Sequence, residues 1–252
     1  MRDDLESATL SEILRRHETP PDAVLIVHSA IKRLGQQGFR AERMIEALLG
    51  YLASGTLLMP TMTWRTVTPA NPVFDELNTP SHTGVLTEIF RTRHATARSL
   101  HPTHSVAGYG PAAAALLAKH HLGTTSVHEN SPYALARDHP TFILLLGVGL
   151  ESCTAIHLAE ETLAPDIYVQ PPENTEQYEL RDRHGKIFPY SLRRHRRLNR
   201  DFEKFRVPLA ARGQLLAGNI GGVPWSLMRQ QDLLREVFAA LAARPTATLS
   251  ET

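Results

Sequence analysis

Apolar runs bounded by glycine or proline alternate with stretches of helical period along most of the chain, a pattern that predicts strands interleaved with helices. Leu5, Leu10, Ile13 and Leu14 are spaced for an amphipathic helix over residues 5–17, ended by Pro20-Pro21. A β-type run follows at 23–27, with His28-Ser29 at its carboxyl end and Lys32 and Gly35 just beyond. Helical period returns over 42–52 through Met44, Ile45, Leu48 and Leu49, and a second buried strand at 56–59 stops at Pro60. Helix, strand, loop, helix, strand in that order predicts a βαβ unit with a parallel strand pair.

Residues 61–83 read as a loop holding Pro69, Pro72 and Pro80, yet they carry Trp64, Phe74 and Asp75. A loop of that length in a compact domain is usually functional. A helix at 85–91, a polar segment at 98–105 and a strand at 106–109 follow, and Pro111 suits the first turn of a helix running to Lys119. Ser131-Pro132 caps a further short helix. Later, segments 177–183 and 186–190 flank His184-Gly185 as a hairpin. A helical pattern starts at Phe202 and Phe205, and Gly218, Gly221 and Gly222 form a turn before a last helix over 224–242. The tail after Pro245 is expected to be disordered, leaving one domain over 1–245 and a tail over 246–252.

The stretch LLLGVGLESCTAIHLAEE, residues 144–161, organises the rest. The apolar run 142–146 reads as a central strand buried on both faces, and Gly147 and Gly149 end it. Thr154 is the expected N-cap of the next helix, on which His157 and Glu160 stand at i and i+3 and share a face. A strand end, a glycine turn and a helix start carrying His and Glu is where open α/β sheets place ligands. The plainer reading of His157 is a helix histidine satisfied by a backbone carbonyl.

Composition narrows the field. The chain has 252 residues, 42% of them hydrophobic, enough for one large domain. A net charge of +1 gives no global field for nucleic acid. One cysteine, Cys153, excludes an internal disulfide and fits a reducing compartment. The first twenty residues lack the apolar core of a signal peptide and no later stretch approaches a membrane span, so a cytoplasmic protein without membrane partners is expected. No heptad or apolar stripe marks a partner surface; a homodimer stands as the candidate assembly.

Three weaker constellations compete. His101, His104, His128, His157 and Glu160 match no established zinc spacing, and thirteen histidines make chance pairs common, so no metal is expected. Cys153 and His157, at i and i+4, permit a thiolate–imidazole pair, against the commoner case of a buried structural cysteine. The basic run at 193–197 reads first as a solvated face.

Six ordered blocks carry more weight than any spacing: VLIVHSAIKRLG (24–35), GTLLMPTMTW (55–64), NPVFDELNTPSHTGVLTEIFR (71–91), RSLHPTHSVAGYGPAA (98–113), NSPYALA (130–136) and ILLLGVGLESCTAIHLAEE (143–161). Through them the chain resembles the aminoglycoside 3-N-acetyltransferase family, from Val24 to about Leu233. The resemblance implies a single α/β domain, a mixed central sheet flanked by helices, with the C-terminal hairpin and helices completing the substrate side. It implies acetyl-CoA as co-substrate and a small-molecule amine as acceptor, with no nucleic acid partner.

By the same resemblance the T-x-x-H-x-A-E histidine, His157, acts in acid–base chemistry, with Glu160 as the carboxylate on its other nitrogen. An ammonium must lose a proton before it attacks a thioester, and an imidazole is suited to take it. Coenzyme contacts map to Ser29 and Lys32 in the H-S-x-x-x-x-x-G turn and to Arg98, Ser99, Ser105 and Val106 around R-S-x-H-P. Trp64, Asp75, Glu161 and Asp201 are the candidates for holding the acceptor.

Two departures bear on function. Ala30 stands where relatives often carry a second serine, and the run YSLRRHRR (190–197) stands where resistance enzymes carry acidic residues. Arginines there would repel a polyamine, which favours a phosphate- or carboxylate-bearing amine as acceptor. A Cys153–His157 hydrolase and a family member that binds without catalysing remain the alternatives.

Overall fold

The computed structural model describes residues 3–251; the side chains of residues 3–8, Leu5 among them, lie outside the described set, as do Met1, Arg2 and Thr252. Helix α1 (Asp3–Arg16) leads into β1 (Val24–Ser29), α2 (Lys32–Gln36), α3 (Ala41–Tyr51), β2 (Thr56–Pro60) and the short β3 (Val73–Asp75). Then come α4 (Val85–Arg93), β4 (Ala97–Arg98), β5 (Val106–Tyr109), α5 (Ala113–Leu117), α6 (Pro132–Leu135) and β6 (Thr141–Leu146). The remainder is α7 (His157–Leu163), α8 (Pro165–Tyr168), β7 (Glu176–Arg181), β8 (Ile187–Leu192), α9 (Arg206–Ala211), β9 (Leu215–Ile220), β10 (Val223–Arg229) and α10 (Gln230–Ala243).

A seven-stranded mixed sheet of order β4-β5-β2-β1-β6-β10-β9 forms the centre. Its middle three strands are parallel, β1 pairing with both β2 and β6, and antiparallel strands extend it on each side. The βαβ unit and the buried strand at 142–146 are as the apolar runs predict. Side-chain alternation sorts the sheet into two cores. Val24, Ile26, Ile143 and Leu145 face one, while Leu25, Val27, Phe142, Leu144 and Leu146 face the other. Helices α1, α3 and α4 cover the second core, and α5, α7 and α10 cover the first, because a central strand with two apolar faces must be buried on both. The expected hairpin of β7 and β8 forms, and β3 joins it as a parallel third strand over a small core of Phe74, Tyr178, Leu180, Tyr190 and Leu192. No described helix is long and apolar enough to cross a membrane.

Five expectations need correction. The loop at 61–83 contains β3, and Pro111 lies in a turn before α5 rather than inside it. The last helix starts at Gln230, not at Pro224, because Val223, Trp225 and Leu227 alternate onto one face of β10. Gly221 and Gly222, both at positive φ (52° and 72°), form the two-residue loop of the β9–β10 hairpin, a turn in which both residues need left-handed backbone. Thr154 caps nothing: residues 150–156 make two short 3₁₀ turns, and α7 begins only at His157. The segment after Pro245, expected to be disordered, packs on the body with Ala247 and Thr248 buried.

Candidate active site

The carboxyl ends of β1 and β6 lie side by side, Ser29 opposite Leu146, and the chain leaves both on the same side of the sheet. Gly147 makes the turn possible: at φ 72° it runs so close to β1 that a Cβ there would sit 2.4 Å from the Ala30 carbonyl oxygen. The two 3₁₀ turns then deliver His157 to the wall of a cleft of about 860 Å³. His28, Ser29 and Lys32 line it from β1 and α2, Trp64 and His82 from the 61–83 segment, and His104, Glu151 and His157 from the far side. This is the crevice beyond parallel strand ends where α/β sheets hold ligands.

His157 Nδ1 lies 2.6 Å from Glu160 Oε2. Glu160 is fully buried, and a buried carboxylate persists only when its oxygens are occupied. Arg200 Nε donates to both oxygens at 3.0 and 3.1 Å, and the Thr248 hydroxyl donates to Oε1 at 2.6 Å. Burial opposes ionisation of Glu160, but His157 and Arg200 outweigh it and hold the carboxyl down to about 2. An ionised carboxylate only accepts, so Nδ1 of His157 carries the hydrogen and Nε2 keeps its lone pair.

A second imidazole lies on the first. His195 is 4.3 Å from His157 between ring centroids, at 42°, and its Nε2 sits 2.6 Å from Glu161 Oε1. Glu161 also accepts from the Thr125 hydroxyl at 2.5 Å and the Val127 amide at 2.8 Å. Burial, with the His195 charge next, lowers the pKa of His157 despite the opposing pull of Glu160, so the ring is neutral at physiological pH. Phe202 closes another side, edge to face at 5.4 Å.

The coenzyme candidates divide. Ser29 and Lys32 line the cleft. Arg98, Ser99, Ser105 and Val106 are buried and are not among the residues that line it. The Arg98 guanidinium donates to the Thr61 and Ser105 hydroxyls and to the carbonyls of Thr61, Glu76 and Thr79, and it lies 4.8 Å over the Phe74 ring. Ser99 bonds His120 and the Val106 amide. Arg98 and Ser105 thereby fasten the 61–83 segment.

Of the acceptor candidates, Trp64 stands on the cleft wall with its ring 4.5 Å from that of His82. Glu161 acts on His195 from below. Asp75 and Asp201 do not reach the cleft: Asp75 accepts from the Leu77 and Asn78 amides, and Asp201 accepts from the Lys204 amide. The carboxylate that does line the cleft is Glu151. The arginines of 193–197 are largely engaged: Arg193 and Arg196 donate to the Gln170 and Val169 carbonyls, and Arg194 pairs with Glu176 at 2.9 Å. Cys153 is buried in the core, and burial pushes its thiol up to about 12, which removes the thiolate that a Cys153–His157 hydrolase needs.

Sequence reasoning missed His195, Arg200, Thr248 and Glu151. His195 lay hidden inside the basic run, and the other three carried no local signal.

A sequence model of the family described as aminoglycoside 3-N-acetyltransferase matches residues 26–242. Aminoglycoside N(3)-acetyltransferase III of Serratia marcescens is 30% identical over 162 residues, 58% of this chain and 60% of that protein. The chain spans 63% and 60% of the length of the first two curated relatives it matches. Among solved structures, the apoenzyme of aminoglycoside acetyltransferase AAC(3)-IVa superposes with TM-score 0.75 at 25% identity, covering 97% of this chain and 91% of that one. AAC-IIIb, solved as a binary complex with CoASH, shares the fold with TM-score 0.77 at 21% identity, covering 98% of each chain.

Proposed function

Because the chain belongs to the aminoglycoside 3-N-acetyltransferase family, we propose that it transfers acetyl from acetyl-CoA to an amine of an aminoglycoside or related amino sugar, with His157 as general base. The observation that carries this reading is the His157–Glu160 pair at the cleft wall, with Nε2 of a neutral imidazole left as the free acceptor.

The chemistry follows from those two side chains. The acceptor nitrogen attacks the thioester carbonyl carbon; the C–N bond forms, the C–S bond breaks, and His157 Nε2 takes the proton the nitrogen releases. The same proton passes to the departing thiolate, so amine and thioester become amide and thiol with nothing left over. Glu160 holds the tautomer and stabilises the imidazolium that exists in between. Its charge is kept in place by Arg200 and Thr248, so the base is oriented before substrate arrives. Ser29 and Lys32, at the strand end and the first turn beyond it, are the residues present in the cleft to meet the anionic part of the donor.

Arg194 is paired with Glu176, while Arg193 and Arg196 are held on backbone carbonyls and keep their charge; against that charge, Glu151 offers a cationic acceptor one carboxylate inside the cleft. Thiol release from acetyl-CoA, measured against aminoglycosides, neutral amino sugars and phosphate-bearing amines, tests the assignment. Turnover of aminoglycosides and amino sugars above the anionic amines is expected; turnover of the anionic amines alone would reverse the acceptor class.

A further inference from the structure

The residues after the last helix meet the catalytic pair from a direction that nothing in the family reading requires. Helix α10 ends at Ala243, and the chain then turns back, with Ala247 N donating to Arg244 O at 2.8 Å and Leu249 N to Thr246 O at 3.0 Å. It is tied to one neighbouring segment: Asp201 N donates to Thr248 O at 2.9 Å, Ser250 N to Asn199 O at 3.0 Å, and Lys204 Nζ to Leu249 O at 2.7 Å. That segment carries Arg200, the other donor to Glu160 besides His157. Two of the three groups on the buried carboxylate therefore arrive on one ladder formed between residues 199–204 and 248–250.

Thr248 itself is fully buried, and its hydroxyl touches Glu160 Oε1 at 2.6 Å and the Tyr168 hydroxyl at 2.7 Å. A hydroxyl has one hydrogen, an ionised carboxylate has none, and the Tyr168 hydroxyl gives its own to the Pro245 carbonyl at 3.0 Å, so the charge-assisted bond from Thr248 to Glu160 takes the Thr248 hydrogen. We propose that Thr248 is a positioning residue: held by the segment after the last helix, its hydroxyl fixes the Glu160 carboxylate and, through it, the orientation of the His157 imidazole. The inference rests on the reading of His157 as the base. With Oε1 engaged by Thr248, Oε2 is the oxygen turned to His157; without that hydroxyl the carboxylate is free to swing toward Arg200, and the imidazole loses its fixed partner. The titratable and charged groups facing His157 are Glu160, Arg200, His195 and His104.

The test compares Thr248→Val, which keeps the shape and removes the hydroxyl, with Thr248→Ser, which keeps the hydroxyl. Thermal midpoints are measured for both, and His157→Ala is run beside them. Thr248→Val is expected to lower kcat about tenfold with KM for acetyl-CoA unchanged within twofold. It is also expected to move the acidic limb of the pH–rate profile downward, because a carboxylate drawn toward Arg200 stabilises the imidazolium less. Thr248→Ser should restore both. A Thr248→Val enzyme with wild-type kcat and pH profile, beside an inactive His157→Ala, would overturn the inference and leave the base standing. Equal losses in the valine and serine variants would mark the side chain as packing alone and overturn it too. A fully active His157→Ala would remove the base, and the inference with it.

Discussion

The imidazoles of His157 and His195 lie 4.3 Å apart, centroid to centroid, and each is held at 2.6 Å by its own glutamate, Glu160 and Glu161, from consecutive positions of α7. Consecutive helix residues point about 100° apart, so one helix turn serves two rings that approach from different parts of the chain.

The consequence is electrostatic. A protonated His195 repels a protonated His157, and this repulsion stands second only to burial in lowering the pKa of the base. His195→Phe keeps a ring against His157 and removes the charge. The pKa of His157 should then rise toward its ordinary value, and the ascending limb of kcat/KM should move to higher pH. A pH–rate profile of the variant checks this; a shift to lower pH would contradict the arrangement.

Arg98 separates a coenzyme contact from a structural clamp. Burial brings its pKa down to about 9, still protonated at neutral pH, and its donors fill the carbonyls of Thr61, Glu76 and Thr79. Arg98→Met leaves those carbonyls buried without partners and should cost about 3 kcal/mol in urea denaturation, with acetyl-CoA binding weakened as the segment carrying Trp64 and His82 loosens. Unchanged stability with lost coenzyme binding would restore the sequence-based assignment.

Buried neutral histidines set the acid limit. His28 is brought down to about 4 and His120 to about 3, both chiefly by burial. Their folded pKa values lie below the unfolded value near 6.5, so the stability they contribute is intact above pH 6.5 and is lost as pH falls toward those values. At pH 5 each costs about 2 kcal/mol. Glu160, held near 2, withdraws its share only below about pH 4.5, so the loss between pH 7 and 5 belongs to the histidines. Urea midpoints at pH 8 and pH 5 should differ accordingly, and His28→Gln should narrow the difference; equal midpoints would sink the assignment.

What the chain disclosed in advance follows interaction range. His157 and Glu160 are three residues apart on one helix, so their pairing is written in local spacing, as is the double burial of the strand at 142–146. Arg200 and Thr248 lie 40 and 88 residues from Glu160, and only the completed fold brings them to it. Arg98, Ser99 and Ser105 read as a polar segment and, through the family blocks, as coenzyme contacts, and composition does not say that hydroxyls, carbonyls and a buried histidine wait for them inside. Strand β10 is masked in the sequence by Pro224, which suits a helix start as well as a strand near a hairpin, although Val223, Trp225 and Leu227 alternate.

The central claim is that His157 takes the proton from the acceptor amine, and His157→Ala tests it most directly. Steady-state thiol release and calorimetric titration with acetyl-CoA should be measured on the same preparation. The account predicts that kcat falls by about 10²- to 10⁴-fold while the Kd of acetyl-CoA stays within a few-fold of wild type. Turnover within a factor of two of wild type would show that another group accepts the proton, and that the His157–Glu160 pair at the cleft wall serves the fold alone.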